Sequence, residues 1–517
     1  MRRPPVSVNA AARALALPVV VGLAALLAVA LHRNGHAQGD DFALYLRQAR
    51  SLFDGDIGQV VADNRFSVLN SDSGFSPIAY PWVWPLLLSP FVHFWGLDFD
   101  RLKLVEVATF CVWLVLLHGI VRRRIGRRPA IAIIAVFATA PMFLAHTDQL
   151  LTEFPHLAAV ALVIWYHDRI RRDAPLLTAS IHQLVALGAS ITLAFNVRRE
   201  SVVLLGVVGV MIVYDVMSDR LSGETVAEGT VRTLRSHWRE IVTPFVAFAL
   251  SATLAQLLLP TALLPDNGNG SAFLDDRMSE FPGILSDQLG LGDHTPIGVI
   301  VLVVAAIGVV IGVRRRPTLD GPLVLLAVLS ALAVSTHLRR VDRYWFQVTP
   351  WVVYFSTVAL VAGFGWLFAR RAVPARVARL ATVAALLPLG ALVVAHFVVL
   401  PGDISDSREY DDAGRVQSGP SNPVVAPIFE AVNSFTPPDA VIAYFRARTM
   451  TLMTDRRAIQ SKQLDRIVQN ADFYAERRNS TYWQPDLRPS DARAAGFEEV
   501  WSDQRWILWR LPDAATE

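Results

Sequence analysis

The 517-residue sequence contains one cysteine, Cys111, inside an apolar run. An intrachain disulfide and a cysteine metal cluster are therefore excluded. Charged residues are scarce, at 18% of the chain, where an average soluble domain has about 25%. There is no Walker-type phosphate loop and no glycine fingerprint for a dinucleotide, which argues against a nucleotide-driven transporter or a soluble nucleotide-sugar transferase. Neither a G-x-S-x-G elbow nor an H-E-x-x-H pair occurs. Internal repeats and low-complexity segments are absent as well. The formal net charge of +3 is modest, and no nucleic-acid partner is expected.

What the chain does have is apolar sequence. Hydrophobic residues make up 53% and mean hydropathy is +0.39, too apolar for a soluble globular enzyme. Crossing a bilayer takes about 20 apolar residues per helix. Eleven runs read as spans, at about 14–32, 102–120, 129–145, 154–167, 184–197, 202–216, 241–259, 297–313, 322–336, 345–368 and 380–400. Arg2, Arg3 and Arg13 precede the first run, and no convincing cleavage site follows Leu31, so it reads as a retained helix rather than a signal peptide. Arginine clusters follow the even-numbered runs, for example Arg122 to Arg128 and Arg314 to Arg316. The positive-inside rule then puts those loops and the N-terminus in the cytoplasm, and the other loops and the tail outside.

These spans predict a membrane domain over 1–400, with a long first outer loop at 33–98. Within that loop WVWPLLLSPFVHFWG is broken by Pro85 and Pro90 and reads as an interfacial or re-entrant piece. From about Pro401 the composition turns polar. A helix at Val424 to Phe435, strands at Ala440 to Phe445 and Ala458 to Gln460, and a strand pair between Phe497 and Leu511 predict a small α/β domain over 401–517.

The stretch Gly39 to Gly55 stands at the mouth of this membrane domain. Phe42, Tyr45, Leu46, Ala49, Leu52 and Phe53 fall at helical spacing, and Gly55 closes the helix. Its apolar stripe predicts a helix lying along the interface. Asp40 and Asp41 sit at its start. They serve either as cap and dipole partner or as carboxylates held for chemistry.

Other outward charges are selective. They are Glu153 in LLTEFPHL, the pair Arg198-Arg199 at a hairpin tip, and the group Arg339, Arg340, Asp342, Arg343 and Tyr344. These arginines run against the positive-inside trend. A guanidinium fork suits a phosphate head group, although such residues also pair with nearby acids or snorkel to lipid. Glu153 reads either as a helix N-terminal acid or as a second carboxylate opposite Asp40, holding a sugar hydroxyl or a divalent cation. His146, Asp148 and His156 lie nearby without zinc-ligand spacing, and the histidines read as structural.

Taken in order, these residues resemble the GT-C-fold glycosyltransferases, which include protein O-mannosyltransferases, aminoarabinose transferases and related polyprenyl-phosphate-sugar enzymes. Asp40-Asp41 after the first span, with Tyr45, Ala49 and Gly55, resembles the family's first outer loop. That loop typically carries Asp-Glu, so the second acid is shorter here. Tyr80-Pro81 with Pro85 resembles its proline-rich stretch, and Thr152-Glu153-Phe154-Pro155 its acidic second loop. Arg198 to Ser201 resembles an Arg-Pro-Glu-Gly tip without the Pro and Gly. Arg343-Tyr344 followed by Pro350 resembles the Arg-Tyr…Pro entry to a late span. The likeness covers most of the chain.

The resemblance implies a mostly α, polytopic GT-C bundle with a small extracytoplasmic α/β domain. It implies an inverting hexosyl- or pentosyltransferase of the cell envelope. The partners would be a polyprenyl-phosphate sugar donor, membrane lipid, and a glycan, lipid or protein acceptor. Asp40, Asp41 and Glu153 would be catalytic, and Arg198, Arg199, Arg343 and Tyr344 would hold the lipid phosphate. Tyr45 and Tyr80 would lie near donor or acceptor. No cofactor is certain, with a divalent cation the open candidate. A transporter or flippase of a lipid-linked glycan is the alternative, and a membrane scaffold bearing an outer domain is a third. The transporter would use the same arginines without a base at Asp40.

Overall fold

The structure, a computed structural model, describes residues 8–72, 75, 77–172, 175–219, 224–261, 274–337, 341–369 and 375–512. Arg2, Arg3, Arg339 and Arg340 fall outside them.

The N-terminal part is helical throughout. Its elements are α1 (Val8–Leu31), α2 (Asp41–Asp54), α3 (Ile57–Asn70), α4 (Val83–Trp95), α5 (Phe99–Ile125), α6 (Arg127–Thr139), α7 (Pro141–Ala145), α8 (Glu153–Ile170) and α9 (Ile181–Phe195). There follow α10 (Val203–Ser218), α11 (Val226–Ser236), α12 (Trp238–Leu258), α13 (Leu274–Gln288), α14 (Thr295–Arg315), α15 (Pro317–Ser335), α16 (Thr349–Ala369) and α17 (Ala375–Asp412). Each of the eleven apolar runs falls largely on these helices, the run at 129–145 being divided between α6 and α7. Among the described residues seven helices are long and apolar enough to cross a membrane, and α6 with α7, bent by 55°, forms either a broken eighth span or a re-entrant loop. The bend falls where Ala140 turns extended and Pro141 restarts the helix at its first position. Residues 15–31, α4 and α9 are apolar but shorter. Pro85 falls in the first turn of α4, where a missing N–H costs nothing. At 13 residues, α4 is about 20 Å long, short of the roughly 30 Å hydrocarbon core.

Aromatic packing joins the bundle near one end. Phe143 stacks on Phe346 with centroids 4.1 Å apart, and Trp113 meets Phe137 at 5.5 Å. Phe154 lies 6.3 Å from Phe346. These rings lock α5, α6, α7, α8 and the entry to α16 together. Further along, α14 and α16 touch backbone to backbone. A Cβ at Gly308 would stand 1.8 Å from the Phe355 carbonyl oxygen, so only glycine permits the approach.

At the opposite end, charge is buried and fully paired. Arg124 meets both oxygens of Asp168 at 2.5 and 2.9 Å and lies 3.4 Å from Asp320, which also accepts from the Tyr354 hydroxyl at 2.7 Å. The arginine-rich ends of α5, α8 and α14 therefore share one face of the bundle.

The apolar run at 380–400 continues as α17 to Asp412, so the composition change at Pro401 falls inside a helix. Pro401 begins the polar part of that helix rather than ending it. Beyond it come α18 (Ala426–Phe435), β1 (Val441–Ala443), α19 (Ala447–Thr454), β2 (Arg457–Ile459), α20 (Leu464–Asn470), β3 (Phe473–Arg477), α21 (Pro489–Ala494), β4 (Glu498–Ser502) and β5 (Trp506–Arg510). The sheet order is β2-β1-β3-β5-β4, parallel from β2 to β3 and antiparallel from β3 to β4. Alternation assigns its faces. Ile442, Phe473 and Trp506 pack with Ile428, Phe429 and Met450 of α18 and α19. Ile459, Tyr474 and Trp509 pack with Ile467 and Ala492 of α20 and α21. The chain runs from β1 to its parallel neighbour β2 through α19, because a parallel pair needs a crossover. That crossover helix docks on α2.

Reporter fusions test this arrangement. Gln417 hydrogen-bonds Asp148 near the start of α8, whereas Arg315 ends α14 beside the buried charge cluster. Fusions at these two positions are expected to report opposite faces of the membrane. Activity of the same reporter at both would contradict the bundle's polarity.

Candidate active site

Both faces of α2 are covered. Phe42, Tyr45, Leu46 and Ala49 are buried as the stripe predicts, but Arg47 and Gln48 are buried too, while Phe53 is exposed. The polar side of the helix is enclosed as well, because α19 and the Tyr80 segment pack on it. Buried Gln48 donates to the Tyr80 carbonyl at 2.9 Å and accepts from its N–H at 3.1 Å. Buried Arg47 pairs with Asp63 at 3.0 Å.

Asp40 occupies the N-cap position of α2, yet its side chain makes no capping bond there. Its Oδ1 instead accepts from the Thr449 N–H at 3.2 Å and the Thr449 hydroxyl at 3.3 Å. Thr449 is in the first turn of α19, where a helix leaves N–H groups without intrahelical partners. Asp40 thus serves the helix of the other domain, which corrects the local capping expectation. Its Oδ2 is buried and has no hydrogen-bond partner among the described residues. Burial pushes the Asp40 carboxyl above its ordinary value, against the pull of Arg448 and Arg446.

Asp41 accepts from the Tyr80 hydroxyl at 2.5 Å and lies 3.7 Å from the Arg448 guanidinium. Arg448 is buried. It donates to the Tyr80 hydroxyl at 3.2 Å, to Asn64 Oδ1 at 3.2 Å and to the Pro77 carbonyl at 2.9 Å. The Tyr45 and Tyr80 rings meet at 4.6 Å. Tyr45 interacts with the Thr152 side chain and lies in the field of both Asp41 and Glu153. It links the two acidic parts of the site.

Glu153, the first residue of α8, is buried. Its Oε1 accepts from Arg343 Nε at 2.7 Å and from Arg198 at 3.3 Å. Its Oε2 is buried without a hydrogen-bond partner among the described residues. Arg198 also pairs with Glu200 at 3.0 Å. Both guanidinium carbons lie near the Tyr344 ring, at 5.0 Å for Arg198 and 5.7 Å for Arg343. Phe154 and Phe346, which follow Glu153 and Tyr344 closely in sequence, hold this group on the aromatic core. His156 shares a hydrogen bond with Ser201 at 2.9 Å and fixes the hairpin tip that carries Arg198. Asp41 acts electrostatically on Arg343 and Tyr344, so one region collects Asp41, Tyr45, Tyr80, Glu153, Arg198, Arg343 and Tyr344.

Arg199 lies apart from this group. It stacks on Phe195 at 4.3 Å and donates to Asn196 Oδ1 at 3.4 Å and to the Thr261 hydroxyl. At the hairpin tip it is Arg198 that meets Arg343. Among the described residues no group of three or more His, Cys, Asp or Glu side chains is placed to hold a metal ion. Glu153, flanked by two guanidinium groups, does not suit a divalent cation. His146 bonds the Met142 carbonyl at 2.8 Å, and Asp148 pairs with Lys103 at 2.7 Å.

Sequence reasoning missed Arg448 and Thr449. They stand in an unremarkable polar tail, and only docking brings them to Asp40 and Asp41. It also missed Glu106, buried on α5, which accepts from the Leu151 N–H at 2.7 Å and acts on Glu153. A lone acid inside an apolar span was the available signal.

The buried charge gives a stability test. The Asp40 carboxyl is raised on folding, so its ionisation costs stability as pH rises from its unfolded value, about 3.9, through its folded value. Asp40→Asn is expected to raise the unfolding temperature of the apo protein at neutral pH. The gain should shrink toward zero as pH falls below 4. Equal unfolding temperatures at pH 7 would show that Asp40 is not held at an electrostatic cost.

No protein-family model matches the chain, and no curated protein matches it. Solved structures do. ArnT from Cupriavidus metallidurans is similar at 13% identity and TM-score 0.54, over 96% of this chain and 98% of that one, both in the apo state and bound to undecaprenyl phosphate. The Archaeoglobus fulgidus oligosaccharyltransferase in its apo form is similar at 10% identity and TM-score 0.55, over 89% of this chain and 69% of that one. At such identities the likeness concerns the fold: the chain is an integral-membrane protein with the GT-C fold.

Proposed function

We propose that this protein is an inverting glycosyltransferase that moves a sugar from a polyprenyl-phosphate donor to an acceptor hydroxyl on the extracytoplasmic face. The observation that carries the reading is the Asp40 carboxylate, held by Thr449 through one oxygen and presenting a second, buried and unpartnered. A general base needs such an oxygen, together with a raised pKa. The donor class is supported by the arginine pair on Glu153 and by the undecaprenyl phosphate and dolichol phosphate bound to the neighbouring ArnT and archaeal AglB structures. The outward placement rests on the arginine-rich loops lying at the other end of the bundle.

The chemistry is one displacement at the anomeric carbon. Asp40 Oδ2 takes the acceptor proton as the acceptor oxygen bonds to that carbon. The carbon–oxygen bond to phosphate breaks, and its electron pair leaves on the lipid phosphate. Arg198 and Arg343 supply positive charge where that negative charge grows. Glu153 Oε1 holds both guanidinium groups in place, and Oε2 remains for a donor or acceptor hydroxyl. Asp41, through Tyr80 and Arg448, shapes the wall beside Asp40.

Release of lipid phosphate from a panel of polyprenyl-phosphate sugars tests this reading. Asp40→Asn is expected to lower turnover about 100- to 10,000-fold with donor binding largely kept. Asp41→Asn should cost less. A glycan transporter would need the arginines but no base, so transport surviving in Asp40→Asn would favour it. Wild-type turnover in both aspartate variants would place the base elsewhere.

Arg343→Ala is expected to weaken donor binding by about 10- to 100-fold, the worth of a charge-assisted contact of roughly 1.5–3 kcal/mol. Arg343→Lys should restore only part of it, since an ammonium lacks the fork. A less stable protein with unchanged donor affinity would make Arg343 a structural partner of Glu153.

A further inference from the structure

The loop after β3 presents two large aromatic side chains to solvent. Tyr482 is 49% exposed and Trp483 39%. Trp483 has φ +55°, a left-handed backbone that a bulky residue rarely adopts. The loop is pinned in this shape. Buried Gln484 donates to the Arg477 carbonyl at 2.7 Å and the Ser480 carbonyl at 2.9 Å, and accepts from the Arg477 N–H at 3.3 Å. The Asn479 N–H bonds Asp486 at 3.1 Å.

Cationic donors surround the pair. The Lys462 ammonium is 4.3 Å from the Trp483 ring centroid. Arg446 donates to the Tyr482 hydroxyl at 2.5 Å, and its guanidinium carbon lies 5.3 Å from that ring. Arg446 Nε is buried and has no hydrogen-bond partner among the described residues, so a strong donor is available there. Arg446 immediately precedes α19, three residues before the Thr449 that holds Asp40. Arg446 also acts electrostatically on Asp40, so one member of the platform lies near that carboxyl.

We propose that Tyr482, Trp483 and Arg446 form a saccharide-binding subsite that seats a glycan acceptor with its hydroxyl toward Asp40. The proposal rests on the transferase reading and narrows its acceptor to a glycan. A sugar ring offers an apolar C–H face and a rim of hydroxyls. Aromatic faces take the first, and guanidinium and ammonium donors take the second. An apolar lipid tail would leave the buried Nε donor unanswered. A peptide would need backbone donors and acceptors, and the platform is made of side chains.

Saturation-transfer NMR on the full-length protein in detergent tests it, using soluble gluco-, galacto-, manno- and arabino-hexasaccharides. At least one is expected to bind the wild type. Tyr482→Ala and Trp483→Ala should each weaken it about 2- to 10-fold, the scale of one aromatic contact. The double variant should lose detectable binding, and Arg446→Lys should weaken it with the unfolding temperature unchanged. Absence of binding by every saccharide to the wild type would overturn the subsite. So would wild-type affinity in the double variant or in Arg446→Lys. Lipid-phosphate release by the wild type is measured separately. Saccharide binding without release would leave the subsite standing and remove the transferase reading, and release without saccharide binding would do the reverse.

Discussion

A carboxylate taken out of water has to be answered by a guanidinium or by hydrogen bonds, and that demand shapes both ends of the bundle. Helix α8, 18 residues and about 27 Å long, carries an acid at each end. Asp168 has both oxygens taken by Arg124, and Asp320 nearby is held by Arg124 and Tyr354. Among the described residues both of these carboxylates are fully answered, and the cluster ties α5, α8, α15 and α16 together. At the other end Glu153 and Asp40 each keep one buried oxygen unused. The same physical demand, met in full at one end and in half at the other, separates a structural closure from a candidate site.

The tail domain is part of that site. Its crossover helix α19 brings Arg448 to Asp41 and Tyr80, and offers Thr449 to Asp40. The sheet behind it fixes α19 because both faces are packed, by α18 and α19 on one side and α20 and α21 on the other. Further bonds seat the domain on the outer loop. The Ser67 hydroxyl donates to the Ala458 carbonyl at 2.6 Å, and the Asp72 N–H to the Gln460 carbonyl at 3.0 Å. The partners of Asp40 and Asp41 thus come from a helix about 400 residues away in sequence.

Much of this was legible in the amino-acid order. Apolar runs of bilayer length can only be helices in lipid, since each backbone group must be satisfied within its own segment. Arginine clusters alternate between loops, and their ends do meet on one face. Phe42, Tyr45, Leu46 and Ala49 showed α2 by period, and Gly55, at φ +79°, ends it as a residue without a Cβ should. In the tail the turn at Pro437-Pro438 and the apolar pairs announced four strands, while β3 went unread because Phe473 to Arg477 has only two strand-forming residues and no alternation.

Local pattern alone did not reach the partners. Asp40 looked like the cap of its own helix, yet its oxygen goes to Thr449, since a buried N–H from another domain competes for the same carboxylate. Arg198 and Arg199 were both candidates on paper. The phase of the hairpin tip, set by the packing of α8 against it, sends Arg198 to Glu153 and Arg199 to Asn196 and Thr261. The sequence by itself determined the apolar helices and the acids and arginines available at their ends, because hydropathy, period and charge act over a few turns of chain. Tertiary structure alone decided which guanidinium meets which carboxylate and which oxygens stay unpaired, because those pairings close over distances in sequence that no local preference spans.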